Sequence, residues 1–327
     1  MTMIIVTGGA GFIGSCVVRM LNDMGRKDVV VVDHIAQSDK WMNLRNKAYT
    51  EYIPRDDFLA RQPEFRGNVE CIIHMGACSA TTEKDFDFLY KNNFGYTKAL
   101  WTFCAEEGAS FIYASSAATY GDGSQGFDDK ADFRLLRPLN GYGYSKQLFD
   151  LWAEREIAAG KPVPRQHAGF KFFNVYGPNE YFKGSMASVV FHAFNKITQT
   201  GKMGLFKSYR SGVADGGQLR DFVYVKDVCR VIRFALEHPE LSGLFNLGTG
   251  KARTFCDLTV ATFHAMGREP DIEFIEMPAE LREKYQYYTQ ADMAKLRGAG
   301  YVEPFYTLEE GVADYVRNYL MKGCEVW

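Results

Sequence analysis

The chain has 327 residues, 46% hydrophobic and 24% charged. That composition excludes a disordered or fibrous protein, and the length exceeds what a single core usually fills, so two domains are expected. Lys+Arg total 38 against Asp+Glu 40, a net charge of −2. No overall basic field can hold nucleic acid or an anionic membrane, so any anionic ligand must be met by local groups.

In chain order, the first predicted element is a strand, Met3–Thr7, with no basic, apolar leader pattern before it. Further short β-branched runs, Val29–Asp33, Cys71–Met75, Phe111–Ser115 and Gly169–Phe173, alternate with amphipathic stretches Phe12–Met24, Asn92–Glu107 and Tyr144–Ile157. This alternation predicts an α/β fold, a Rossmann-type doubly wound parallel sheet covered by helices. After Phe173 the chain becomes irregular and rich in Gly, Tyr and Lys, which predicts a smaller α/β substrate-binding domain. The expected division is residues 1–173, with returning segments near 220–250, for the dinucleotide, and the remainder of 174–327 for the substrate. Val223–Asp227 and Leu244–Leu247 read as strands returning to the first sheet. No apolar run reaches the ~20 residues needed to span a bilayer. The seven cysteines, 16, 71, 78, 104, 229, 256 and 324, show neither C-x-x-C nor a His at metal spacing. Reduced thiols, no metal site and a cytoplasmic location are the expectation.

Gly8, Gly11 and Gly14 fall between the first strand and the first helix. Glycine is needed there for a tight turn, for close approach of backbone to a pyrophosphate, and for packing of helix on sheet. With 31 glycines in the chain the spacing alone is weak. Its position between strand and helix, and a second strand ending in Asp33 at roughly the distance where an acid meets the adenosine ribose, make a dinucleotide site the expected reading. Asp33 taken alone favours NAD, because a carboxylate repels a 2′-phosphate. Lys40 and Arg55 in the following loops could instead bind that phosphate, so the residues leave NAD and NADP open.

Tyr142 and Lys146 form the one Tyr-x-x-x-Lys in the chain, a helical turn apart. A phenol of ordinary pKa ≈ 10 serves as a base at neutral pH only where a cation stabilises its phenolate, and Lys146 is placed to do so. Upstream, Ser116 ends a strand at the carboxyl edge of the sheet, where its hydroxyl can donate to a reacting oxygen.

The glycine turn, Ser116, Tyr142 and Lys146 resemble the extended short-chain dehydrogenase/reductase family, many of whose members modify nucleotide sugars. Six segments narrow this to its ADP-heptose 6-epimerase branch: GACSATTE (76–83), YASSAATYG (113–121), FNVYGPNEYFKGSMASV (173–189), RDFVYVKDV (220–228), NLGTG (246–250) and YTQADMAKLRGAGY (288–301). The resemblance runs from residue 3 to about 320, and the segments around Lys183 and Tyr288 are its specific part. It implies catalytic roles for Tyr142, Lys146 and Ser116, and for Lys183 as a second acid/base. It implies NADP, held by Gly8, Gly11, Phe12, Ile13, Gly14, Asp33, His34, Lys40, Arg55, Met75, Gly76, Ala77, Cys78, Ser79, Asn92, Lys146, Val175 and Lys183. For the ADP-heptose substrate it implies Asn174, Ser185, His192, Phe206, Arg220 and Tyr285. A homo-oligomer, up to a pentamer, and a product used in lipopolysaccharide core or another glycoconjugate are also implied. Three features depart from the pattern: Lys207–Leu219 is long, Arg55 stands where Lys is usual, and His34 where Asn is usual.

The implied reaction inverts C6″ of ADP-D-glycero-D-manno-heptose through a transient 6″-ketone, Tyr142 and Lys183 moving protons on opposite sides. A 4,6-dehydratase requires an acid pair beside Ser116, where Ala117-Ala118-Thr119 stands. A UDP-hexose 4-epimerase lacks the Lys183 segment. A binding protein that senses dinucleotide without catalysis would have no need of Tyr142 and Lys146.

Overall fold

A computed structural model describes residues 2–282 and 285–327. In chain order its strands are β1 (Met3–Thr7), β2 (Val29–Asp33), β3 (Glu51–Pro54), β4 (Val69–His74), β5 (Ser110–Ser116), β6 (Gln166–Phe172), β7 (Asn174–Tyr176), β8 (Met203–Phe206), β9 (Leu219–Tyr224), β10 (Gly243–Leu247), β11 (Ala252–Thr254) and β12 (Ile272–Ile275). Seven of them form one parallel sheet in the order β10-β6-β5-β4-β1-β2-β3.

Both faces of that sheet are covered, which is why its central strands β1 and β2 are near-continuous apolar runs rather than alternating ones. Ile4, Val6, Val29 and Val31 enter one core with Val17 of helix Phe12–Asp23 and Val228 of helix Val225–Glu237. Ile5, Val30 and Val32 enter the other with Trp101 of helix Tyr96–Glu107 and Phe149 of helix Gly141–Ala158. The strand order reverses between β1 and β4. Thr7 of β1 is in register with both Val32 and His74, so the loops after β1, β2 and β4 open side by side. In an open α/β sheet such a reversal is where a crevice forms for ligand.

The expected strand at Val223–Asp227 requires correction. β9 stops at Tyr224, and helix Val225–Glu237 begins at the next residue. β9 joins β7 and β11 in a separate three-stranded sheet, with Val175 opposite Val223. The alternation Val-Tyr-Val-Lys-Asp imitates a strand, but Val225, Val228, Val231, Ile232 and Ala235 recur at helical spacing and are all buried. Leu244–Leu247 does return to the large sheet, as β10 beside β6. β8 and β12 pair in a small sheet of their own. Among the described residues no helix is long and apolar enough to cross a membrane.

Candidate active site

Gly8 leaves β1 with φ +67, and a Cβ there would lie 2.6 Å from the Gly76 nitrogen, so glycine alone lets the turns after β1 and β4 touch. Any side chain on Gly14 would strike the Gly8 carbonyl. Helix Phe12–Asp23 starts at Gly11 with no side-chain cap and no acid in its first turn, leaving its N–H groups and positive dipole end open to an anion.

Asp33, at the end of β2, has both oxygens engaged. Oδ2 accepts from the Ala10 and Gly11 amides at 2.9 and 3.1 Å. Oδ1 accepts from the His34 amide at 2.7 Å and from Lys40 Nζ at 2.8 Å. Beyond it, Arg55 donates to Asn92 and to Asp56, while the His34 ring is exposed, 3.8 Å from Asp56. Asn93 was not anticipated from sequence. Buried, it clamps the loop after β4 by accepting from the Cys78 amide (2.8 Å) and donating to the Cys78 carbonyl and Ser145 Oγ (both 2.9 Å).

Helix Gly141–Ala158 begins three residues before the predicted Tyr144, because the Asn140 side chain caps it by accepting from the Gly143 amide at 2.8 Å. Tyr142 and Lys146 thus both lie on its first turns. Lys146 is buried and donates to the Ala114 carbonyl of β5 at 2.8 Å. Burial pulls its amine down to about 8, with Asp150 opposing. Burial pushes the Tyr142 phenol up, and the Ser116 hydroxyl draws it back. Each group is held away from its charged form by desolvation, so a ligand that brings positive charge beside them favours the phenolate.

Lys183 arrives on the loop after β7. Buried Asn179 takes φ +74, and buried Glu180 accepts from the Ser188 amide (2.5 Å) and Ser188 Oγ (2.7 Å), which fixes the loop to the cap of helix Val189–Thr200. Burial lowers the Lys183 amine, with Glu180 opposing, and its Nζ rests 5.2 Å from the centroid of the Phe12 ring. Residues near 327 strap the loop from outside: Trp327 N donates to Asn179 Oδ1 at 2.9 Å, Lys47 Nζ to the Trp327 carbonyl at 2.6 Å, and Tyr181 to the Glu325 carbonyl at 2.7 Å. Asn43 ties this loop to the glycine turn through the Asn179 and Ala10 carbonyls.

These pieces enclose a cavity of about 500 Å³. Gly8, Gly11, Phe12, Ile13, Gly14, Asp33, Lys40, Met75, Gly76, Ala77, Ser79, Ser116, Tyr142, Lys146, Asn174, Val175 and Lys183 all line it. A smaller adjoining cavity, sharing Gly8, Asp33, Lys40, Gly76 and Ala77, adds His34, Arg55, Cys78 and Asn92. The other expected substrate residues lie outside both. Ser185 and His192 are exposed. Arg220 is buried, its guanidinium 5.6 and 5.4 Å from the ring centroids of Phe255 and Tyr285, and Phe206 packs edge-on against Tyr285. Phe255 itself lines the main cavity, so this cluster abuts it. The long segment before β9 folds over the same corner, with Arg210 over Tyr287 and Tyr209 bonded to Glu276. Asp221 draws two distant segments to β9, accepting from the amides of Thr249 (2.7 Å), Gly250 (2.9 Å) and Ala291 (3.0 Å).

The profile of the NAD dependent epimerase/dehydratase family matches residues 4–248. The chain belongs to that family. Within the epimerase/dehydratase family, it is 56% identical over 97% of its length to 98% of the ADP-L-glycero-D-manno-heptose-6-epimerase of Nitratidesulfovibrio vulgaris. It is 52% identical, over 98% of both chains, to the protein of that name from Fusobacterium nucleatum. The crystal structure of the Helicobacter pylori ADP-L-glycero-D-manno-heptose-6-epimerase superposes with a TM-score of 0.80 at 28% identity, covering 97% of this chain and 96% of that one.

Proposed function

We propose that the protein is an ADP-glycero-manno-heptose 6-epimerase that inverts C6″ of the heptose with NADP. The observation that carries this reading is the convergence of Ser116, Tyr142, Lys146 and the Lys183 loop on one cavity, in a chain that matches heptose epimerases along nearly its whole length.

The residues fit a dinucleotide. The uncapped helix start, the Gly8–Gly76 approach and the row Met75–Ser79 make a backbone cradle for a pyrophosphate. At the adenosine end Asp33 is turned into the glycine turn and carries Lys40, so its charge is compensated. Lys40 and Arg55 are the cations of that corner, which supports a 2′-phosphate and hence NADP over NAD. Bound there, the nicotinamide would take hydride from a secondary alcohol carbon and return it to the flattened centre.

Tyr142 takes the proton of the 6″-hydroxyl as a transient 6″-ketone forms, and Ser116 donates a hydrogen bond to the oxygen that changes charge. Lys146 holds the phenolate by its ammonium charge. Lys183, on a loop of its own, moves the proton on the other side of C6″, so that reduction leaves the inverted alcohol. Arg220, held between two rings with no acidic partner among the described residues, meets the substrate diphosphate.

An epimerase returns its hydride, so purified protein given ADP-D-glycero-D-manno-heptose and NADP⁺ should convert substrate without sustained growth of the near-ultraviolet absorbance of reduced nicotinamide. Continuous growth would instead identify a net dehydrogenase. Tyr142→Phe should lower turnover by on the order of a thousandfold while the cofactor stays bound. Near-normal turnover in that variant would remove the phenol from the chemistry.

A further inference from the structure

Behind the wall that carries Ser116, Tyr142 and Lys146 lies a buried ion pair. Asp150 follows Lys146 by one helical turn, and Lys171 on β6 is in register with Ser115 of β5. Lys171 Nζ is 2.8 Å from Asp150 Oδ2, with side-chain exposures of 0% and 1%. Burial of two charges is costly, and apolar side chains of similar volume often serve stability as well or better. The bonds around the pair show what it holds. Ser115 Oγ donates to Asp150 Oδ2 at 2.7 Å. Lys171 donates to Thr119 Oγ1 at 2.6 Å, and the Thr119 hydroxyl donates to the Ser116 carbonyl at 2.8 Å. The residue before Ser116 is thus tied to one end of the pair and the turn after it to the other. Asp150 Oδ1 has no hydrogen-bond partner among the described residues, so its charge is incompletely compensated beside Lys146.

We propose that Asp150 and Lys171 are positioning residues for the Ser116–Tyr142–Lys146 face, fixing the strand end that presents the Ser116 hydroxyl and setting a negative charge one turn from Lys146. The inference rests on the roles proposed above for those three residues. The titratable groups that face the cluster are Cys78 from the loop after β4, His74 from β4, Tyr113 from β5, Tyr120 from the turn after β5, its ring centroid 5.2 Å from Lys171 Nζ, Tyr142 and Lys146 from the helix, and Lys171 from β6, with Lys295 acting on Lys171 from farther off. Burial keeps His74 neutral and Tyr113 protonated. Asp150 is then the group that counters the desolvation of Lys146.

Removing one partner alone would strand a buried charge, so the test is the paired replacement Asp150→Asn/Lys171→Met. Two readouts apply: epimerisation kinetics, and the titration of Lys146 followed by NMR of lysine-labelled protein, assigned with Lys146→Arg. Expected are a fall in kcat on the order of tenfold to hundredfold with little change in KM, and a Lys146 midpoint moved below its value of about 8. Lys171→Arg with Asp150 intact keeps the charge pair and should retain much of the wild-type rate. Should the pair fail to fold, Ser115→Ala/Thr119→Val cuts both ties and leaves the charges, and should lower kcat without moving the midpoint. Wild-type kcat with an unmoved midpoint in the paired variant, or wild-type kcat in the hydroxyl variant, overturns the proposal. Absence of heptose epimerisation by the wild-type protein would overturn the functional reading instead, and the lysine titration would still decide the effect of Asp150 on Lys146.

Discussion

The two ends of the groove hold positive charge in different ways. Near Asp33 the cations are already engaged: Lys40 lies 2.8 Å from Asp33, and Arg55 is bonded to Asp56 and Asn92. Toward the sugar end, Lys183 rests on the Phe12 ring and Arg220 between Phe255 and Tyr285, and among the described residues neither is paired with a carboxylate. A ring attracts a cation by roughly 0.5–2 kcal/mol without neutralising it, so the ammonium or guanidinium keeps its charge for a ligand. An ion-paired cation must exchange one partner for another. The adenosine end is accordingly built as a fixed, internally bonded socket, and the sugar end as a pair of aimed charges.

The sharpest way to break that contrast is Lys183→Ala. Interconversion should fall by at least about a hundredfold, while one epimer still reduces bound cofactor in a single turnover. Unchanged epimerisation would remove Lys183 from the proton transfers. Arg220→Leu should raise KM for the nucleotide sugar by about tenfold to a hundredfold with a smaller effect on kcat. Arg220→Lys should rescue it poorly, because an ammonium lacks the forked donors with which a guanidinium meets a diphosphate. At the opposite end, Lys40→Ala should weaken NADP by roughly tenfold and leave NAD nearly unaffected, since only the 2′-phosphate loses a partner. Equal weakening of both, by fluorescence titration, would assign Lys40 to holding Asp33 alone. Phe12→Leu should have the smallest effect, a loss of about twofold to tenfold in interconversion that Phe12→Tyr restores.

Much of this was legible in the sequence because the features are local. β-branched runs mark strands buried on both faces, and Gly8 and Gly14 stand where any side chain would strike backbone. Tyr142 and Lys146 are four residues apart on one helix. Val223–Asp227 misled because five residues of alternation are too few to separate a strand end from a helix start. The supporting polar groups were invisible for another reason. Asn43 reaches Asn179, Asn179 reaches Trp327, and Asp150 meets Lys171, all across long stretches of chain that only the folded topology closes. Aspartate and asparagine in such places read as solvated surface. One available signal was Lys171 inside the otherwise apolar run Gly169–Phe173, a charge that a buried strand tolerates only with a partner.

The measurement closest to the central claim is the fate of the C6″ hydrogen. Purified protein is incubated in D₂O with ADP-D-glycero-D-manno-heptose, and C6″ is followed by NMR. Inversion with the original hydrogen retained at C6″ is expected, because hydride is carried to the cofactor and returned without exchanging with water. No inversion, or inversion with deuterium at C6″, would contradict it.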